Sequence, residues 1–237
     1  MVVMIQHLGM ILDGNRRFAV RLMKKPWMGH RYGLEKSREA LEWACELGIK
    51  HVTAYVLSLE NLKSRPKKEL QYILKYLGME ADNILKNREH VVNKNSVRVR
   101  FIGRTHLLPD WLQQKMADVE KMTEKNDRHF LNIAVAYGGQ QEIVDATKKI
   151  LQEGLAGVIK PSDVDEKFIK EHLYTNGQPS PDLIIRTGGE RRLSNFLPFQ
   201  SVYSELIFLD KKWPEMTKKD FVAAISEFEK RQRRFGK

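Results

Sequence analysis

The chain has 237 residues, of which 42% are hydrophobic and 30% are charged, a balance typical of a globular protein with one sizeable core. Its single cysteine, Cys45, excludes an intrachain disulfide, and no apolar run approaches the ~18 residues that a membrane span needs. The formal net charge of +11 favours a polyanionic partner: nucleic acid, a membrane surface or phosphorylated small molecules.

In chain order, the hydrophobic pattern alternates between strand-like and helix-like segments. The predicted strands cover residues 7–12, 51–57, 97–102, 130–137, 182–187 and 205–209. The predicted helices cover residues 34–48, 66–90, 109–125 and about 140–152, and two further helices are opened by the capping-box patterns Ser162/Asp165 and Thr217/Asp220. The helix over 66–90 has an apolar face wide enough to form either core or the wall of a ligand site.

Strands that alternate with helices predict an α/β fold with a mostly parallel, six-stranded central sheet flanked by helices. No linker rich in Gly, Ser or Pro divides the sequence, so we expect one domain over residues 1–237. In parallel sheets, ligands bind beyond the carboxyl ends of the strands. Unusual polar segments follow several predicted strands at this edge, and we therefore expect the functional site there.

The first of these segments is Asp13-Gly14-Asn15-Arg16-Arg17, directly after the first strand. The glycine lets backbone amides approach an anion, and arginine binds phosphate oxygens through two donors. A carboxylate beside an anion suggests a divalent cation between them, since magnesium combines one or two carboxylates with phosphate oxygens. Taken by itself, however, the segment is better explained by an ordinary Asp-Gly turn with solvated arginines.

The second segment, residues 186–194, is more specific for anion binding. It places Arg186, Arg192 and Ser194 around a double glycine. A solvated turn rarely needs an arginine that emerges directly from an apolar strand. We therefore predict that this segment binds an anion.

Other candidate residues have structural alternatives. His30 is either a phosphate donor or a surface or capping residue, and Glu205 is either a metal ligand or an ordinary strand residue. Ser58, Glu60 and Asn61, with Arg65 beyond them, form either a second polar subsite or a helix-capping loop. The sequence has no Walker-type loop and no GxGxxG, so the common nucleotide-binding motifs are excluded. It also has no zinc-ligand spacing and no helix-turn-helix pattern, which are common in nucleic-acid-binding proteins.

Taken together, the segments resemble the cis-prenyltransferases, the undecaprenyl diphosphate synthase family. The matching stretches occur in the family's order over nearly the whole chain: HLGMILDGNRRFA, GHRYG, SLENLKSRP, LNIAVAYGG, DLIIRTGGERRLSNFLPFQSVYSEL and the terminal RRFG. The resemblance implies a homodimer whose six-stranded parallel core carries an apolar tunnel flanked by helices. It also implies that the terminal Arg233–Gly236 reaches the diphosphate site of the partner chain.

The resemblance assigns roles to individual residues. It implies that Asp13 holds Mg²⁺ on the departing diphosphate, with Glu205 as a second residue linked to the metal. The residues implied to bind the allylic diphosphate are Gly14, Asn15, Arg16 and Arg17, with His30 and Arg65 as helpers, and Phe18 lies against the first isoprene units. Those implied to bind isopentenyl diphosphate are Arg186, Arg192 and Ser194, and Ser58 and Glu60 belong to the substrate-binding set.

Two further expectations follow from the resemblance. Asn61 matches a position described as a proton acceptor, and because a neutral amide is a weak base we interpret it as a positioning or relay group. Lys24 or Lys25 stands where family members often carry an arginine before the Gly-His pair, and a lysine is a point charge rather than a fork.

The implied activity is a Mg²⁺-dependent enzyme that condenses isopentenyl diphosphate repeatedly onto an allylic prenyl diphosphate, giving a long, undecaprenyl-like polyprenyl diphosphate. No basic segment followed by an apolar stretch opens the sequence, so we expect a cytoplasmic protein. From the implied activity, we expect that it does not bind nucleic acid and that it contacts the membrane surface through its lipid product. Two alternatives remain at this point: a non-catalytic partner subunit of such an enzyme, and a basic module that binds nucleic acid or a phosphorylated ligand.

Overall fold

The computed structural model describes residues 5–231 and contains one six-stranded sheet in which every pairing is parallel. The strand order is β3-β4-β2-β1-β5-β6. The strands are β1 (His7–Ile11), β2 (His51–Ser58), β3 (Val97–Ile102), β4 (His129–Tyr137), β5 (Leu183–Arg186) and β6 (Glu205–Phe208). The predicted α/β class and the predicted parallel sheet are confirmed.

Helices connect the strands. The helices are α1 (Asn15–Arg21), α2 (Gly29–Glu46), α3 (Leu59–Ser64), α4 (Lys67–Lys86), α5 (Val91–Lys94), α6 (Asp110–Thr123), α7 (Gly139–Leu155), α8 (Glu166–His172) and α9 (Lys218–Lys230). Within residues 5–231, none of them combines the length and the apolar character that crossing a bilayer would require. The terminal Arg233–Gly236, for which a site role was predicted, lies outside the described residues.

Three predicted helices have boundaries that differ clearly from the structure. The helix predicted over 34–48 begins five residues earlier, at Gly29, and ends at Glu46. The Ser162/Asp165 capping box is wrong, because Pro161–Asp163 forms a 3₁₀ turn and Asp165 itself caps α8 by accepting the amide of Phe168 at 2.7 Å. The helix predicted over 66–90 ends at Lys86, where the chain turns before α5. The Thr217/Asp220 capping box of α9 is confirmed.

Side chains from the two faces of the sheet enter different apolar clusters. Along β5, Leu183 and Ile185 join the main cluster with α2 and α9, whereas Ile184 points to the other face, as alternation in a strand requires. On that second face, Tyr55 stacks on Phe196 with ring centroids 4.8 Å apart. This contact fixes the loop after β5, which carries predicted site residues.

A buried polar network crosses the sheet through His7. Its Nδ1 donates to the Pro179 carbonyl at 2.7 Å, so Nε2 is the acceptor for the Thr53 hydroxyl at 2.8 Å. Thr53 in turn accepts from Asn132, which exchanges hydrogen bonds with Gln178. Burial is the main reason that the pKa of His7 falls from 6.5 to about 4.

We expect acid to weaken the fold through His7. Between pH 6.5 and 4 the unfolded chain binds a proton at His7 that the native chain refuses, so the free energy of unfolding falls as pH falls, by about 3 kcal/mol from this residue. Denaturant unfolding of the chain and of a His7→Gln variant at several pH values measures the effect. The stability difference between them should shrink towards pH 4, and a constant difference would contradict the assignment.

Candidate active site

A polar cavity of about 470 Å³ opens where β1 ends. Its walls contain seven of the predicted site residues: Asp13, Gly14, Asn15, Arg16, Arg17, His30 and Arg65. Asp13 is the one carboxylate among the described lining residues, whereas three arginines and a histidine face the same space. The cavity is therefore suited to an anion, as the sequence predicted.

The turn that opens this cavity requires glycine at position 14. Gly14 precedes α1 with φ +106°, a conformation that side chains rarely adopt. A Cβ at this position would lie 2.7 Å from the Cβ of Lys212. The tight turn brings the start of α1, and with it Arg16 and Arg17, against the end of β1.

Asp13 is held between two arginines. Its Oδ1 accepts from Arg17 Nη2 at 3.2 Å, and its Oδ2 accepts from Arg186 Nη2 at 2.9 Å. The Asp13 amide donates to the Thr187 hydroxyl, and this hydroxyl donates to the Asp13 carbonyl at 2.8 Å. The carboxylate remains 31% exposed towards the cavity, so further ligands have access to it.

Arg186 connects this cavity with the loop of residues 186–194. The guanidinium is only 5% exposed, and besides Asp13 it contacts the loop through Nη1. Nη1 donates to the Arg192 carbonyl at 2.5 Å and to the Ser194 hydroxyl at 2.8 Å. A planar fork makes these bonds simultaneously, which a lysine cannot do. The two anion-binding segments predicted from the sequence therefore form one continuous site.

The outer part of the loop remains open to solvent. The Arg192 guanidinium is 61% exposed and donates to Glu190 Oε2 at 2.6 Å. Arg17 lies 4.0 Å from the other oxygen of Glu190. This loop therefore presents charge at the surface next to the cavity, where a second anion has room to bind.

A buried carboxylate that the sequence prediction missed organises the other wall. Glu69 accepts from His30 Nε2 at 3.0 Å, from Arg65 Nη1, and lies 3.5 Å from Arg16 Nε. Burial raises the pKa of Glu69, but His30 and the two arginines outweigh it and lower the pKa below the usual value. The i,i+4 spacing of Arg65 and Glu69 in the sequence is the signal that could have found it.

Asn195, also missed, joins the loop after β5 to two helices. Its Nδ2 donates to Glu60 at 2.9 Å and to Gln141, and its Oδ1 accepts the amide of Gln140 at 2.8 Å. Burial raises the pKa of Glu60, but the bond from Asn195 contributes to a net lowering. Glu60 therefore carries a structural bond between α3 and the loop.

Ser58 and Asn61 form a helix cap. The Ser58 hydroxyl accepts the Asn61 amide at 3.0 Å at the start of α3. The capping alternative is therefore confirmed for Ser58. The catalytic role of Asn61 stays a prediction.

Among the predicted residues that do not line the polar cavity, Phe18 and Glu205 have partners unrelated to it. Phe18 packs edge-to-face on Tyr32, with ring centroids 5.4 Å apart, and is not part of the cavity wall. Glu205 opens β6, pairs with Arg231 at 2.8 Å and lies level with Leu183. Since Leu183 pairs with Leu8, Glu205 is about 16 Å from Asp13 along the strand direction at ~3.3 Å per residue. One chain does not bring both carboxylates to one ion.

The donor set fits a magnesium ion that arrives with a diphosphate rather than a resident one. Residues 5–231 contain no group of three His, Cys, Asp or Glu side chains able to enclose a metal. Asp13 offers a single accessible carboxylate, and the side-chain oxygen of Asn15 is buried without a hydrogen-bond partner. The Nε atoms of Arg65 and Arg186 are also buried, and each lacks an acceptor. Magnesium characteristically takes few protein carboxylates and completes its shell with phosphate oxygens and water.

A second, apolar cavity of about 130 Å³ adjoins the polar one. The two cavities share Leu12, Asn15 and His30. Most of the second cavity is walled by aliphatic side chains of the sheet, α2 and α4. A basic pocket that continues into an apolar one defines a class of protein that binds an amphiphile by its anionic head and its hydrocarbon tail.

The chain belongs to the undecaprenyl diphosphate synthase family, the cis-prenyltransferases. The profile described as "Putative undecaprenyl diphosphate synthase" matches residues 11–236. This membership confirms the resemblance found in the sequence and makes the chain a prenyltransferase whose substrates are prenyl diphosphates.

Curated relatives match almost the whole chain. A tritrans,polycis-undecaprenyl-diphosphate synthase (geranylgeranyl-diphosphate specific) from Methanopyrus kandleri is 47% identical over 98% of this chain and 84% of its own length. An isoprenyl transferase from Thermus thermophilus is 45% identical over 99% of this chain and 89% of its own length. The lavandulyl diphosphate synthase of Lavandula x intermedia, solved with dimethylallyl diphosphate, superposes with a TM-score of 0.93 at 32% identity and covers 99% of both chains.

Proposed function

We propose that this enzyme adds isopentenyl diphosphate repeatedly to geranylgeranyl diphosphate, with Mg²⁺, and releases a long cis-polyprenyl diphosphate of undecaprenyl type. The observation that carries the proposal is the arginine-lined cavity that continues into an apolar one at His30 and Asn15. The starter is inferred from relatives such as the Methanopyrus kandleri enzyme, whose name specifies geranylgeranyl diphosphate.

The two diphosphates occupy the two halves of the site. The allylic diphosphate binds in the polar cavity, against Arg16, Arg17 and Arg65, because its hydrocarbon tail then enters the apolar cavity next to it. Isopentenyl diphosphate binds at Arg192 and Ser194, on the exposed side of Arg186. Arg186 contacts both halves and sets their relative position.

The reaction breaks the bond between C1 of the allylic substrate and its diphosphate, and forms a bond from C1 to the double bond of isopentenyl diphosphate. Preorganised arginines stabilise the negative charge that grows on the leaving diphosphate. Asp13 would hold Mg²⁺, which supplies additional positive charge to that group when bound. A proton then passes from the newly added unit to an oxygen of the released diphosphate, and Asn61, at the start of α3, orients this transfer rather than acting as the base.

Assembly and membrane contact are parts of the same proposal. We propose a homodimer in which Glu205 acts on the site of the other copy, since Asp13 of the same chain is too distant. The lipid product would bring the enzyme to a membrane surface.

Chromatography of labelled products tests the proposed function. The enzyme is incubated with Mg²⁺, radiolabelled isopentenyl diphosphate and a geranyl, farnesyl or geranylgeranyl starter. We expect the longest products and the highest kcat/KM with the geranylgeranyl starter, and loss of transfer with EDTA. Transfer that is equal with all starters would contradict the starter assignment, and absence of transfer would contradict the function.

Arg192→Ala is expected to raise the KM for isopentenyl diphosphate about tenfold and the KM for the allylic substrate much less. The reason is that one exposed charge-assisted hydrogen bond to a phosphate contributes ~1.5 kcal/mol or more. Steady-state kinetics with each substrate varied in turn measures the split. Arg191→Ala, a neighbouring exposed arginine of the same loop, is the control and should leave both values nearly unchanged. Equal increases for the two substrates would contradict the division of the site.

A further inference from the structure

Side-chain links join α2 and α4 at two levels, and the apolar cavity lies along them. The first link is the bond from His30 to Glu69 at the polar cavity. The second joins Arg38 to Glu80. At ~1.5 Å per residue, the second link lies about 12 Å further along α2 and about 16 Å further along α4. A tail that leaves the polar cavity between these helices therefore runs from the first link towards the second.

The second link is a buried ionic triad of Arg38, Glu80 and His90. Arg38 Nε lies 2.9 Å and 3.0 Å from the two carboxylate oxygens of Glu80, and Arg38 Nη2 contacts the same group. His90 Nε2 lies 3.0 Å from Glu80 Oε1. His90 Nδ1 accepts the Val92 amide, so Nε2 carries the hydrogen that is donated to Glu80.

This Arg38–Glu80–His90 triad differs from the rest of the cavity wall. Most of the other wall residues are aliphatic, among them Leu41, Ile73, Leu77, Ile84, Leu131 and Ile133, and the polar Ser37 and Tyr76 there carry no charge. The exposed fraction of the side chain is 12% for Glu80 and 3% for His90. Burial raises the pKa of Glu80, but its bonds to Arg38 and His90 outweigh burial and keep the carboxylate ionised.

The triad opposes passage of a hydrocarbon for two reasons. The Arg38 side chain is still 38% exposed, and an apolar tail packed against it would remove that water without offering a hydrogen bond. Moving α2 away from α4 would break the ion pair and leave its buried partner unpaired, which is strongly destabilising.

The size of the cavity makes this barrier relevant. An apolar cavity of ~150 Å³ accommodates benzene, which is similar in size to one isoprene unit. The present cavity of about 130 Å³ therefore holds about one such unit, and a longer tail requires α2 and α4 to separate. The His30–Glu69 bond lies at the entrance of the apolar cavity. The next contact that must break when α2 and α4 separate to lengthen the cavity is therefore the triad.

We propose that the Arg38–Glu80–His90 triad limits the length of the polyprenyl product, by closing the deep end of the tail cavity and tying α2 to α4 and α5. The inference rests on the proposed function, because it concerns the length to which that reaction proceeds. These three residues do not line the polar cavity, so they would determine specificity without taking part in the chemistry.

A triple variant replaces the triad by groups of similar shape without charge: Arg38→Met, Glu80→Leu and His90→Asn. Asparagine keeps an acceptor for the Val92 amide at the start of α5, and apolar replacement of a whole buried ion pair is well tolerated. Labelled isopentenyl diphosphate and a geranylgeranyl starter are supplied with Mg²⁺, and product lengths are measured by chromatography. We expect products longer by one or more isoprene units, with the rate of the first condensation changed less than about twofold.

The matched control removes an ion pair of the same type away from the cavity. Arg104 donates to both oxygens of Asp145 at 2.8 Å and 2.9 Å, and Tyr174 supplies a third partner. The Arg104→Met, Asp145→Leu variant should keep the product length of the unsubstituted chain. Unchanged or shorter products from the triple variant would overturn the role of the triad while leaving the proposed function intact. Absence of transfer by the unsubstituted chain would instead overturn the proposed function, and the inference with it.

A single substitution, Glu80→Gln, tests the role of the triad if the triple variant does not fold. The amide retains the volume of Glu80 and a bond to Arg38 but removes the charge that holds the triad together. Thermal unfolding establishes that the variant is folded. We expect a smaller shift to longer products, and a folded variant with an unchanged product distribution would overturn the proposal.

Discussion

Asp13→Asn is expected to lower kcat/KM for prenyl transfer by about 100-fold or more, the effect of removing one preorganised electrostatic group from an active site. The amide keeps the shape of Asp13 and an oxygen for Arg186, but it removes the one carboxylate in the described wall of the polar cavity. Steady-state kinetics at several Mg²⁺ concentrations provides the measurement. The apparent affinity for Mg²⁺ should fall together with turnover.

The control for Asp13→Asn is Asp145→Asn. Asp145 likewise accepts two guanidinium bonds, in its case both from Arg104, but it lies outside the cavity. Thermal unfolding should show both variants folded, with activity lost only at position 13. A folded Asp13→Asn enzyme that keeps more than half of normal activity would exclude Asp13 as the magnesium ligand.

Arg186→Lys is expected to reduce kcat/KM by about 100-fold, with effects on both substrates. Arg186 makes charge-assisted bonds to Asp13, to Ser194 and to the Arg192 carbonyl. A lysine ammonium keeps the charge but cannot reach all three at once, and two lost bonds of ~1.5 kcal/mol each give a loss of this size.

Arg104→Lys is the corresponding control, because Arg104 also donates through two nitrogens, in its case to the two carboxylate oxygens of Asp145, and lies outside the site. Both substitutions should lower the unfolding temperature slightly, and only Arg186→Lys should impair catalysis. If the two variants lose activity equally, the loss reflects general destabilisation, and Arg186 does not align the two substrates.

The sequence was sufficient to predict the sheet and the edge at which the site lies. The strand predicted over 97–102 has those bounds in the structure, and its apolar and charged residues alternate from Val97 to Phe101. Parallel topology then brought Asp13 and Arg186 to the same edge, where they form an ion pair at 2.9 Å. Both inferences depend on regular backbone geometry, which a local pattern specifies.

Local patterns failed where several partners competed for one side chain. Ser162 and Asp165 have the spacing of a capping box. Aspartate is also a favourable residue at the N-cap position itself, and Asp165 takes that position in α8. Ser162 instead lies in the 3₁₀ turn that begins at Pro161. The contact of Phe18 with the hydrocarbon stays a prediction, and in this structure its ring packs against Tyr32. At the start of α8, the structure selects between two locally acceptable caps.

Contacts between distant residues could not be predicted from one sequence. The His30–Glu69 bond joins residues 39 positions apart, and the Arg38–Glu80 pair joins residues 42 positions apart. Each depends on how α2 packs against α4, and the sequence pattern gives only the apolar face of each helix. The separation of Glu205 from Asp13 likewise became apparent only from the strand register.

The stereochemistry of the newly formed double bonds tests the central claim most directly. The enzyme is supplied with geranylgeranyl diphosphate, ¹³C-labelled isopentenyl diphosphate and Mg²⁺, and the product is analysed by NMR. We expect that every added unit contains a cis double bond while the units of the starter remain trans. Addition of trans units, or an isopentenyl diphosphate pool that remains unconsumed with every allylic starter, would contradict it.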